Sequence, residues 1–290
     1  MFEKVKTKIG DGICQKIGDR IGDGICHLYL IILTIIAMFP LLWIIISSVK
    51  SSGELTSSPT SFIPKVFTFN NYKNVIENLG FVTNIVNSLV IALVTTLIAI
   101  VISSMAAYGI VRFFPKFGSI MSRALVTTYM FPPILLAIPY SLVMAKVGLT
   151  NTRIGLVIVY LSFSVPYAVW MLVGFFRTVP IGIEEAAKVD GANKAVTFIK
   201  IVLPLVLPGI VATAIYTFIN AWNEFLYSLI LINSTDLMTV SVALKSLQGA
   251  EILDWGSMMA ASTLVVVPSV VFFTLIQKYI AGGMTEGSVK

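Results

Sequence analysis

Six apolar runs, each about 20 residues or longer, decide what this chain can fold into. They lie near 28–48, 84–108, 120–145, 154–176, 205–232 and 258–280. At about 1.5 Å of rise per residue, each is long enough as a helix to cross roughly 30 Å of hydrocarbon. Backbone polar groups have no water to turn to in that medium and must pair within their own segment, which favours helices. Of the 290 residues only 12% are charged and 57% are hydrophobic, whereas a water-covered domain carries about 25% charge. The sequence therefore predicts an all-α membrane protein with six spanning helices. Residues 1–27 would form an N-terminal tail, 28–280 the membrane domain and 281–290 a C-terminal tail.

The basic residues give the orientation. With the N-terminus inside, fourteen of the twenty Lys and Arg fall in inner segments and six in outer ones, so both termini are expected in the cytoplasm. The net charge of +6 is spread between apolar runs, with no basic face interleaved with aromatics. It reads as topology signal and lipid-headgroup contact, not nucleic-acid binding. The first run is too long for the apolar core of a signal peptide and no small-x-small cleavage site follows it, so it reads as an anchor. Cys14, Cys26 and His27 lack the spacing of a metal site, and a cytoplasmic tail disfavours a disulfide.

The tail repeats itself: Lys8-Ile9-Gly10-Asp11, Lys16-Ile17-Gly18-Asp19 and Arg20-Ile21-Gly22-Asp23 are near copies. Val5, Ile9, Ile13, Ile17, Ile21 and Ile25 recur every four residues, which suits a helix lying in the headgroup plane or, given the glycines, a mobile tail. The third run holds Pro132, Pro133 and Pro139, so a kinked helix lining a path is expected there. The outer segments 49–83 and 233–257 are polar enough to dock a partner or simply to connect. In the first, Phe69-Asn70-Asn71-Tyr72 should open a short helix.

One inner loop stands apart. Between the fourth and fifth runs, residues 177–204 read Glu-Ala-Ala at 185–187, three residues, Gly191, nine residues, then Ile201-Val202-Leu203-Pro204. Pro180 can start a helix whose first turns carry Glu184 and Glu185, where the macrodipole favours negative charge. Ala186 and Ala187 are small and let another backbone come close. Gly191 permits the positive φ that ends a helix, and Pro204 is expected to open the fifth span. A short stiff helix rooted between two spans is a lever.

This pattern resembles the EAA motif of ABC-importer permeases, and every specified position matches. Ser61-Phe62-Ile63-Pro64-Lys65, Phe67-Thr68-Phe69-Asn70-Asn71-Tyr72, Ala221-Trp222-Asn223-Glu224 and Gly282-Gly283-Met284-Thr285-Glu286-Gly287 are similar to the carbohydrate-uptake, maltose-type subfamily, so the likeness covers about 28–290. It implies the six-helix, binding-protein-dependent permease fold in a prokaryotic cytoplasmic (inner) membrane. The implied partners are a second homologous permease, two cytoplasmic ATPase subunits and an extracytoplasmic sugar-binding protein in the bilayer assembly. No cofactor would sit on this chain; ATP and Mg would belong to the ATPases. Carried over by residue, Glu184, Glu185, Ala186, Ala187, Asp190 and Gly191 are the expected coupling positions.

Glu224 is the only acidic residue inside a run, and an intramembrane charge is a functional candidate by default. With Trp222 and Asn223 it offers an apolar face and hydrogen bonds of the kind sugars use; Tyr129 and Pro132 join them as a candidate substrate path. As successive residues on a helix, 222–224 cannot all face one pore, so a structural cluster is at least as good a reading. An ion-coupled secondary transporter would want more intramembrane carboxylates or an inverted repeat. An ABC permease for another solute remains a second alternative. The sequence has one histidine and no Walker A or metallohydrolase motif, which argues against an enzyme.

Overall fold

The computed structural model describes residues 2–58, 60–248 and 254–285, and every regular element among them is helical. In chain order the α-helices are α1 Phe2–Ser48, α2 Ser52–Ser57, α3 Asn70–Lys73, α4 Phe81–Arg112, α5 Pro115–Tyr129, α6 Pro133–Lys146 and α7 Arg153–Thr178. They continue as α8 Ile181–Val189, α9 Lys194–Val196, α10 Leu203–Leu205, α11 Leu207–Asn223, α12 Leu226–Leu231, α13 Val240–Ser246 and α14 Trp255–Thr285. Below, the end of the bundle bearing 49–83 and 233–248 is called outer, after the charge-based orientation.

Gly24–Ser48 within α1, α4 and α7 are long and apolar enough to cross a membrane unaided. Lys194–Leu205 and Leu207–Asn223 qualify together as a pair bent by 76°, while α6 and Trp255–Val271 of α14 are shorter apolar helices. Apolar segments thus stand at all six runs, but two runs are not single rods. The third is broken, not kinked. α5 stops at Tyr129 and Pro132, driven out of the helical region by the proline after it, has ψ 122°. The fifth is cut at both ends. Pro204 lies in α10 and does not open the span as expected; α11 begins after the bend at Val206 and ends at Asn223. In the tail the backbone is helical without interruption from Phe2 into the first run. The side chains of Cys14 and of the stripe up to Ile21 lie outside the described residues.

At the centre α4 packs along α7 and α11, and α1 rests on α14. Gly209 of α11 makes the close approach possible: a Cβ there would sit 2.2 Å from the Phe175 ring of α7. Two apolar cores result. The outer one gathers Phe81, Leu156, Tyr160, Phe218 and Trp222; the inner one gathers Tyr108, Leu172, Phe176 and Val202. The face of α1 is open, with Leu30, Ile35 and Ile36 more than half exposed, as suits contact with lipid or protein and not water.

The outer segments are folded, not slack. Lys50 is fully buried, gives its ammonium to the Ser61 carbonyl and lies 4.9 Å from the Trp43 ring. Glu54 accepts the Ser61 hydroxyl at 3.0 Å and the Lys65 amide at 3.1 Å. The predicted helix at 69–72 is α3, and Asn71 ties it to the carbonyls of Ser48 and Lys50 at 2.8 and 2.7 Å. Most of 233–248 belongs to the bundle and not to a free docking loop. Asn84 and Asn87 of α4 donate to the carbonyls of Thr235, Asp236 and Met238 at 2.8–3.1 Å, and Ser88 receives the Val240 amide at 2.8 Å. Residues 249–253 lie outside the described residues.

Candidate functional site

Two places carry polar chemistry: a helix at the inner end and a cavity in the middle of the bundle. The inner helix is α8. Pro180 precedes it in extended conformation, and Val179 separates it from α7. Its far end closes as a Schellman turn. The Ala192 amide reaches the Ala187 carbonyl at 2.9 Å, the Gly191 amide reaches that of Lys188 at 3.1 Å, and Gly191 has φ +85°. The expected positive φ at Gly191 is present, and it makes α8 a closed unit of two and a half turns.

The six coupling positions divide between two faces. Glu185, Ala186, Asp190 and Gly191 are exposed. Ala187 is not available to another protein as expected: it is 5% exposed and packs into its own bundle. Glu184 also faces inward. Its carboxylate pairs with the Arg112 guanidinium at the end of α4 and accepts the Tyr108 hydroxyl at 2.7 Å. Arg112 gives its other arm to the Val179 carbonyl at 2.7 Å. One guanidinium therefore fastens the ends of α4 and α7 to the first turn of α8, in the fork geometry that arginine alone provides. Sequence reasoning missed Tyr108 and Arg112. They stand four residues apart on one helix face, a signal indistinguishable from an ordinary interfacial anchor.

The cavity, about 540 Å³, lies where the third and fifth runs break. Phe131, Tyr140, Phe163 and Tyr227 supply ring faces to it; Asn220, Asn223 and Glu224 supply polar groups. Tyr140 and Tyr227 meet edge to face at 5.5 Å, and Phe163 stacks on Tyr227 at 5.8 Å. The expectation that 222–224 follow one another around a helix fails at Glu224, whose ψ of 130° ends α11. Asn223 and Glu224 consequently share the cavity, while Trp222 is 2% exposed and stacks on Phe218 in the core. Pro132 is not among the lining residues; its neighbours Phe131 and Pro133 are. The side chain of Tyr129 lies outside the described residues.

Glu224 is held by its own chain. One carboxyl oxygen accepts the Tyr227 amide at 2.8 Å; the other accepts the Tyr160 hydroxyl at 2.6 Å and the Ser228 amide at 3.1 Å. These amides open α12, whose cap residue Phe225 has no acceptor to offer. Glu224 does that work from one position earlier and satisfies donors that would otherwise be orphaned in an apolar interior. Tyr227 then gives its hydroxyl to the Pro133 carbonyl at 3.0 Å, joining the two breaks across the cavity. An anchored carboxylate beside aromatic faces and amides can orient hydroxyl-rich solutes.

Residues 21–286 match the family model of the binding-protein-dependent transport system inner membrane component. The trehalose transport system permease protein SugB of Mycobacterium tuberculosis is 37% identical over 257 residues, covering 88% of this chain and 93% of that protein. The trehalose/maltose transport system permease protein MalG of Thermococcus litoralis is 34% identical over 263 residues, covering 90% and 94%. In fold the chain is similar to a crystal structure of a bacterial ABC transporter involved in the import of the acidic polysaccharide alginate. The TM-score is 0.75 at 21% identity, over 90% of this chain and 97% of the other.

Proposed function

This chain belongs to the binding-protein-dependent transport system inner membrane component family, and from that premise we propose how it works as the membrane permease of a sugar importer. It is a transport subunit and not an enzyme, like the permeases it resembles. We infer that the cargo is a neutral sugar or oligosaccharide. The relatives named for trehalose and maltose support this, as does a cavity whose lining, among the described residues, offers rings, amides, hydroxyls and the Glu224 carboxylate and no Lys or Arg. An extracytoplasmic binding protein would deliver the sugar to the outer end, a second permease would complete the path, and two ATPases would bind MgATP beneath. The protein would sit in the inner membrane of a prokaryote with six crossings and both termini inside.

The observation that carries the mechanism is the exposed face of α8. Glu185, Ala186, Asp190 and Gly191 lie outward on a short helix closed by its Schellman turn and rooted between two membrane segments. On this reading the ATPase grips that face, and its closure biases the bundle between two access states. Gly191 has open space around its missing Cβ, so a substitution there acts through φ, and a β-branched residue at φ +85° is strongly disfavoured. Gly191→Val and Glu185→Lys are expected to insert normally, yet to lose the ATPase subunits on co-purification and to abolish ATP-driven uptake in vesicles. Normal retention and uptake in both variants would remove α8 from the mechanism.

A further inference from the structure

Among the described long helices, α4 is the one without a proline. α1, α7 and α14 contain Pro40, Pro166 and Pro268, and each such proline forfeits a backbone hydrogen bond and loosens the rod. α4 runs unbroken for 32 residues, about 48 Å at 1.5 Å per residue. It also has a polar grip at each end. At the inner end Arg112 and Tyr108 hold Glu184 of α8, and Arg112 holds the Val179 carbonyl. At the outer end Asn84, Asn87 and Ser88 hold the backbone of 235–240.

The inner grip is built to carry force. The Arg112 and Glu184 side chains are only 10% and 13% exposed, so water screens their attraction little. The Tyr108 ring is wedged at 4.7 Å from Phe198 and 5.9 Å from Phe176, which fixes its hydroxyl on the carboxylate. Among the described residues, the polar side-chain ties between α8 and the bundle run through Glu184. The outward face of α8 is left clear of them.

We infer that Arg112 and Tyr108 are positioning residues that join α8 to α4, and that α4 carries a displacement of α8 to the outer segment 235–240. The inference rests on the reading of α8 as the ATPase seat and adds the route by which that seat acts on the opposite side. A guanidinium bonded to two elements at once resists their sliding apart, whereas apolar contacts between helices permit it. A proline-free helix then moves as one body. The Asn and Ser grips at its far end pull backbone, not side chains, so the outer segment follows.

The test uses the assembled importer with Cys14 and Cys26 replaced by Ser and a spin label at Ser246→Cys, the exposed last residue of α13. Label mobility is compared with and without MgATP plus orthovanadate. In the otherwise unaltered protein the trapped nucleotide should change it. In Arg112→Gln and in Glu184→Gln the change should shrink by roughly fivefold or more, the lower end of ordinary coupling between sites, while the ATPase subunits still co-purify. The double variant should be no worse than either single one, because the pair acts as a unit. Arg112→Lys, which keeps the charge but lacks the planar fork that serves both partners, should fall between. A full nucleotide response in Arg112→Gln or Glu184→Gln, or additive losses in the double variant, overturns the joint. Glu185→Lys and Gly191→Val separate the underlying reading: if both keep normal ATPase retention and uptake, the seat is elsewhere, whatever the Arg112 variants do.

Discussion

Glu184 and Glu224 invite comparison because they solve one problem in two ways. Each is a carboxylate set among aromatic rings, and each accepts a tyrosine hydroxyl, from Tyr108 at 2.7 Å and from Tyr160 at 2.6 Å. They differ in the rest of their partners. At the inner end Glu184 takes a guanidinium, and in the middle of the bundle Glu224 takes two backbone amides at the start of α12. A second charge is tolerable near the headgroups, where water and lipid phosphates are close, but taking it to mid-membrane depth is costly. The orphan amides of a helix start are already present at the break and add no charge. The difference also separates a joint from a brace. Arg112 and Glu184 come from two separate helices, while Glu224 mostly fixes its own chain three and four residues on.

The comparison is most exposed to Glu224→Ala. Three buried donors would lose their acceptor at about 1–3 kcal/mol each, so the loss should be on the order of 4 kcal/mol, a large share of a typical domain's stability. Glu184→Ala should cost less, since Arg112 keeps the Val179 carbonyl as a partner and only the Tyr108 hydroxyl is left without an acceptor. Thermal unfolding of both variants in detergent checks the order; equal losses would break the distinction between brace and joint.

A finer cut removes only the shared tyrosine hydroxyls. Tyr160→Phe should destabilise by about 1.5–3 kcal/mol, the worth of a hydrogen bond to a charged group, because Tyr160 is completely buried. Tyr108→Phe should cost about 1 kcal/mol or less, with Arg112 still in place. The same unfolding measurement applies, and a larger loss from Tyr108→Phe would reverse the argument.

The smallest effect extends the comparison to the outer end, where Glu54 and Asp254 accept their hydrogen bonds from neutral donors. Burial pushes both carboxyls up, yet their partners outweigh it: the Lys65 amide, the Ser61 hydroxyl and the nearby Lys50 charge on Glu54, the Ser257 hydroxyl and amide and the Ser52 hydroxyl on Asp254. Both are held below their usual values of 4.5 and 3.8. A carboxylate depressed in the folded state stabilises it above the usual value, and that contribution is lost as pH falls through the folded one. Fluorescence of Trp255, next to Asp254, should therefore stay constant from pH 7 to about 5 and change only below the usual carboxylate values. A transition near neutrality would contradict it.

Much of this protein was decided by sequence alone. Apolar length against a hydrocarbon layer dictates helices wherever the runs fall, and the expected positions of α1, α4, α7 and α14 hold because that constraint is local. The end of α8 was equally readable, since a Schellman turn needs only Gly191 and the carbonyls just before it. Tertiary structure decided the rest. Nothing near residue 184 shows that its partners stand at 108 and 112, more than 70 residues away, or that Glu224 meets Tyr160 from 64 residues away. The break at Glu224 was hidden for a related reason. Leu226–Leu231 is apolar enough to continue α11, and only the cavity and the buried amides of α12 make an extended residue there the cheaper choice. Which side of α8 is free followed in the same way, from the packing of Ala187 and the hold of Arg112 on Glu184, because a helix face acquires a direction only when something else occupies the opposite one.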